Sequence, residues 1–159
     1  MEKISNTNET GEMKEVLKKI EEYRSLGYLF HGSKKELEVV EPRQAHDENP
    51  NVIAGNLNAI YATNDIRIPI VIALFDKKDR AQKSASSFYS AYKDTMSVGG
   101  VNITFTPGYI YVLPKESFRT VENEQEKEIV SFEPVIPIDT IHITPEILDL
   151  IPGITYDMK

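Results

Sequence analysis

The sequence predicts an α+β fold, and three observations carry that prediction. Short apolar runs at 28–31, 60–62, 109–113, 129–132 and 138–143 are each bounded by turn residues and read as strands. Only one long stretch, 12–26, has helical periodicity, and no internal repeat links the segments. Strands in such excess over helices, without the regular strand–helix alternation of a parallel sheet, define the mixed class.

The elements follow in order. Residues 1–11 are polar and read as a loose tail, leaving 12–159 as a single domain. Over 12–26, Met13, Val16, Leu17, Ile20, Tyr23 and Leu26 recur three or four apart, which predicts an amphipathic helix stopped by Gly27. A short extended piece at 37–41 precedes Pro42. Residues 42–58, with Pro, Asn, Asp and Gly and no periodicity, read as a long loop of the kind that often carries function. Asn64-Asp65 offers a cap for a second, buried helix whose Pro69 must lie near its beginning. The sequence leaves 77–93 open between helix and flap. Residues 101–106 alternate and are expected to pair with 109–113 across the Pro107-Gly108 turn. Thr144-Pro145 marks a last short helix, with Thr144 as its cap.

Composition narrows the function. The 159-residue chain has 18 basic and 25 acidic residues, a net charge of −7, which opposes nonspecific nucleic-acid binding. It has no Cys, which excludes disulfides and thiolate metal sites and suits a reducing cytoplasm, the expected location. No segment is apolar and long enough to suggest a membrane partner. Neither a phosphate-binding Gly-rich loop nor a dinucleotide-binding Gly-x-Gly-x-x-Gly occurs. His46-Asp47 has no second His nearby and His142 alternates outward on its strand, so no metal is expected.

Chemistry concentrates in three segments. Tyr28-Leu29-Phe30-His31-Gly32-Ser33 ends a strand in His-Gly, and the missing side chain of Gly32 would let a flat ligand approach the backbone. Ala59-Ile60-Tyr61-Ala62-Thr63 follows about thirty residues later, with a Tyr flanked by small residues, and Gly108-Tyr109-Ile110-Tyr111-Val112 comes after it. In order and spacing these segments resemble the His-Tyr-Glu side of the ADP-ribosyltransferase superfamily, nearest to the small bacterial rifamycin ADP-ribosyltransferases.

That resemblance implies a split, bent, antiparallel-rich sheet and an enzyme that cleaves the nicotinamide–ribose bond of NAD. The expected partners are NAD, as substrate, and an unidentified acceptor. By the same resemblance His31 would hold a ribose hydroxyl, Gly32 would bind the nicotinamide amide through its main chain, and Tyr61 would stack on the ring. Ser33 and Thr63 would assist by hydroxyl hydrogen bonds, and Arg43 would reach the pyrophosphate. The superfamily often places a Glu at the start of a late strand; Glu133 is the first candidate here, with Glu122 and then Glu116 as alternatives on the rifamycin-type pattern. A noncatalytic binding module of the same fold and an RNA 2′-phosphotransferase-like enzyme are the competing readings. The latter is disfavoured by only five Arg residues in the chain.

Overall fold

The amphipathic stretch forms the helix that its spacing predicts. In the structure, a computed structural model describing residues 2–45, 56–75, 89–92, 95–98, 104–122, 127–152 and 154–156, this helix is α1 (Glu2–Ser25). It begins at Glu2, so the polar segment expected as a tail is helical from there on; no proline precedes Pro42 to stop it. Met13 and Ile20 are buried, with Val16, Leu17 and Tyr23 packed beside them. Gly27, at φ 92°, ends the helix: its N–H bonds Arg24 O at 3.0 Å and the next N–H, of Tyr28, bonds Tyr23 O at 3.3 Å. Only glycine takes that left-handed turn at little cost.

After it come β1 (Leu29–Ser33), β2 (Arg43–Gln44), β3 (Asn58–Ala62) and the helix α2 (Arg67–Leu74). Then follow β4 (Tyr89–Tyr92), β5 (Thr95–Val98), β6 (Gly108–Leu113), β7 (Arg119–Glu122) and β8 (Lys127–Ser131). The chain closes with β9 (Asp139–Ile143), a 3-10 helix (Pro145–Leu150) and β10 (Ile154–Tyr156). His46-Asp47, most of 77–93, residues 101–103 and the middle of the acidic connector after β7 lie outside the described residues.

Among the described residues there are three sheets. The order β1-β6-β9 makes the first, β2-β3-β8-β7 the second and β10-β5-β4 a small third, all antiparallel except β10 with β5. Mixed helix and sheet with antiparallel pairing is thus the observed class. The hairpin expected between 101–106 and 109–113 does not form at β6, because β1 and β9 occupy both its edges. Instead Phe105 bridges Phe75, their rings stacked at 5.8 Å. Tyr89–Tyr92, left open by the sequence, is strand. Thr144 precedes the last helix but makes no side-chain cap bond.

Strand alternation divides the interior in two. One face of the first sheet sends Phe30, Ile110, Val112, Ile141 and Ile143 against α1, α2 and the 3-10 helix. The other sends Leu29, Tyr111 and Leu113 against Ile60 and Ala62 of the second sheet, forming a separate core. Tyr111 is fully buried, and its hydroxyl accepts the Leu37 N–H and donates to the Lys35 carbonyl. Burial pushes the Tyr111 hydroxyl pKa up, so it stays a neutral clamp on the 34–41 segment.

α2 lies unusually close to the first sheet, and two glycines make room for it. A Cβ on Gly32 would meet the Pro69 carbonyl oxygen at 2.1 Å, and one on Gly108 would meet that of Ala73 at 2.1 Å. The helix is anchored at its start by Asp65, whose carboxylate accepts the Arg67 N–H at 3.2 Å and pairs with its guanidinium at 2.7 Å. α1 is tied to β9 by Asp139, whose carboxylate accepts from Lys19 Nζ and from Tyr23 Oη, each at 2.8 Å.

Two predictions follow from this packing. Gly32→Ala forces α2 away from β1 and should lower the unfolding free energy by about 1–3 kcal/mol or more, read from urea denaturation; an unchanged midpoint would contradict the close approach. Burial alone would raise the Asp139 carboxyl, but the hydrogen bonds from Lys19 and Tyr23 outweigh it and leave its pKa below the ordinary 3.8. Its stabilising contribution is therefore present above the unfolded value and disappears as pH falls through the lower folded value. Asp139→Asn should remove that acid-side slope at a cost of up to about 1 kcal/mol near neutrality, since the pair is partly solvated; an identical slope in both proteins would refute the assignment.

Candidate active site

The site is organised along one edge of β3. A β-strand directs the N–H and C=O of alternate residues to the same edge. On the edge facing away from β8, Leu57 accepts the Ala45 N–H at 2.9 Å, and Ala59 pairs with Arg43 of β2. Four residues beyond Ala59 on that edge, Thr63 exchanges both backbone hydrogen bonds with Phe30 of β1, at 2.9 and 3.1 Å. Tyr61 lies between them. In a continuous ladder it would pair with Gly32, but its carbonyl is taken by His31 Nδ1 at 2.7 Å. The imidazole thus stands where a backbone rung would be, and β1 parts from β3 there to continue along β6.

Two consequences are electronic and geometric. A carbonyl only accepts, so Nδ1 carries the proton. Gly32 lies two residues beyond Phe30, so its N–H and C=O also point into the opening between β1 and β3. Its absent side chain serves α2, on the face toward Pro69, while its backbone groups face the opening.

The sequence leads one to expect His31 and Tyr61 on neighbouring strands with both side chains facing one cleft; the strands adjoin, but the side chains leave on opposite faces. Register pairs Phe30 with Thr63, so Tyr61 projects on the Gly32 side and His31 on the other, its ring turned to reach the Tyr61 carbonyl. The His31 ring also lies 6.4 Å from that of Tyr111. Tyr61 is half-buried, and its hydroxyl accepts the Leu57 N–H at 3.0 Å.

Register also sorts the charged candidates. Arg43 is opposite Ala59 and therefore shares the Tyr61 face, exposed at the end of the opening. On β8, Val130 is opposite both Tyr61 and Arg119, and Glu128 is opposite Val121. Glu128, at the start of β8, thus shares the face of Tyr61 one residue beyond the strand partner of Ala62. Glu122 pairs with Lys127 and belongs to the opposite face. Glu133 lies past the end of β8 on an exposed bend, where Ser131 Oγ accepts its N–H at 3.2 Å and donates to its carbonyl at 2.9 Å. Glu116 is exposed in the turn before β7.

Ser33 Oγ accepts the Lys35 N–H at 3.1 Å and Thr63 Oγ1 accepts the Asp65 N–H at 3.0 Å, so both hydroxyls shape the turns that bound the opening. His142 is exposed on β9 with its ring 5.3 Å from Tyr109, away from the opening. Glu128 escaped the sequence reading because it is embedded in an acidic run. Counting alternate residues back from the buried Val130 is the signal that singles it out.

No protein-family model, curated protein or solved structure matches this chain. Among the described residues no three His, Asp or Glu side chains gather as a metal site, and no helix is long and apolar enough to cross a membrane.

Proposed function

We propose that this chain is an NAD-dependent mono-ADP-ribosyltransferase built on the split, bent sheet of that superfamily. The observation that carries the reading is the opened edge of β3, where His31 holds the Tyr61 carbonyl and the Gly32 backbone is left facing the gap. A primary amide such as that of nicotinamide needs one donor and one acceptor in line, which the Gly32 N–H and C=O supply. Tyr61, on the same side, offers its ring face to the cationic pyridinium. His31, beside the opening, would hold a ribose hydroxyl.

Departure of nicotinamide leaves positive charge on the ribose, and a carboxylate fixed nearby lowers the cost of that charge. Glu128 is the residue we assign to this task in preference to Glu133. It is the second residue of a late strand next to β3 and lies on the Tyr61 face, whereas Glu133 follows the strand and Glu122 points to the other face. Arg43 lies on the Tyr61 face at the opposite end and would reach the pyrophosphate. The acceptor would approach past Glu128.

Release of nicotinamide from NAD, followed chromatographically, tests the assignment. Glu128→Gln should lower the rate about a hundredfold or more while preserving the thermal shift given by NAD. Glu133→Gln and Glu122→Gln should retain most activity. Loss with Glu133→Gln and retention with Glu128→Gln would return the role to the bend. A parent protein that neither releases nicotinamide nor is stabilised by millimolar NAD would refute the function.

A further inference from the structure

On the layer opposite α1, two irregular segments lie side by side. Val40 and Val135 exchange both backbone hydrogen bonds at 2.9 Å, and their side chains are buried in the core between the sheets. Alternation then turns Val39 and Ile136 outward next to each other, followed by Ile138. Among the described residues these are some of the few large apolar side chains left in water: Val39 is 38%, Ile136 73% and Ile138 50% exposed. Isolated exposed apolar residues need no explanation, but a contiguous group on a fixed backbone marks an interaction surface. This backbone is fixed, since the Tyr111 hydroxyl holds Lys35 and Leu37, and the Ile138 N–H bonds the Val112 carbonyl at 2.7 Å.

The charge around the group selects its occupant. Glu38 and Glu41 are exposed on either side of the Val39–Val40 pair, and Glu133 is exposed beside the level of Glu41. An acidic rim repels nucleic acid and anionic lipid, and a net charge of −7 on each copy opposes self-association through the same face. What it complements is apolar side chains flanked by cations. From the apolar group and its acidic rim together, we infer that this face docks a basic amphipathic protein segment, whose Leu-, Ile- or Phe-like side chains cover Val39, Ile136 and Ile138 while its Lys or Arg residues meet Glu38, Glu41 and Glu133. The inference is independent of NAD chemistry, because none of these residues lines the opening at Tyr61 in the assignment above.

A fluorescent synthetic peptide of Leu and Lys ordered as an amphipathic helix, paired with an equally charged peptide carrying Ser for Leu, tests it by anisotropy against the full chain. The parent should bind the Leu/Lys peptide and not the Ser/Lys one. Val39→Ser with Ile136→Ser should weaken binding about tenfold or more without altering the melting temperature, since both side chains are exposed. Glu38→Lys with Glu41→Lys should also weaken it and remove most of its salt dependence. Glu12→Lys with Glu15→Lys, the same charge change on α1 in the opposite layer, should leave it unchanged. Equal binding of both peptides, or undiminished binding by the Val39/Ile136 variant, would overturn the inference. So would self-association of the parent, seen by sedimentation, that Ile136→Ser abolishes.

Discussion

A single hydrogen bond, from His31 Nδ1 to the carbonyl of Tyr61, decides what the second half of this fold can be. Unpaired carbonyls inside a sheet are costly, so strands that separate must find each freed group a partner. Here one imidazole substitutes for the missing rung. Along this edge β3 meets β2 below, the ring at the Tyr61 carbonyl in the middle and β1 above. The opening in the sheet is thus a stable feature of the backbone rather than a defect, and the groups that surround it are held by both strands.

The direction in which β1 departs is set from behind. α2 presses its Pro69 and Ala73 carbonyls onto Gly32 and Gly108, positions where any side chain would collide with helix backbone. That contact fixes β1 and β6 to one layer, while Ile60 and Ala62 draw β3 toward the core between the sheets. The sheet opens because its two halves answer to different cores. Tyr111 belongs to the same economy of means: one buried hydroxyl satisfies two backbone groups of the 34–41 segment and so fixes the loop that leads from β1 to β2.

Much of this was legible in the sequence, for identifiable reasons. Apolar alternation located β1, β3, β6, β8 and β9, and the helical face of Val16, Ile20 and Tyr23 located α1, because burial leaves a periodic trace. The pairing of His31 with Tyr61 was legible as a spacing, and their strands do adjoin. What the sequence could not convey was anything that depends on register between distant segments. The hairpin expected before β6 failed because β1 and β9 compete for the same edges. Glu128 looked like one acid among many until the rungs from Val130 put it on the Tyr61 face, and Glu133, expected at the start of a late strand, lies instead on a bend past the end of β8. Gly32 was legible as a necessary glycine, while the helix behind it, which excludes a side chain, was not.

The most direct test of the central claim is the nitrogen NMR spectrum of the His31 imidazole, recorded with and without NAD. The account predicts a ring protonated at Nδ1, with that nitrogen unmoved by NAD and Nε2 shifting when NAD binds. A ring protonated at Nε2, or one whose nitrogens ignore NAD altogether, would contradict it: the first outcome removes the interaction that opens the sheet, and the second removes the ligand from the opening.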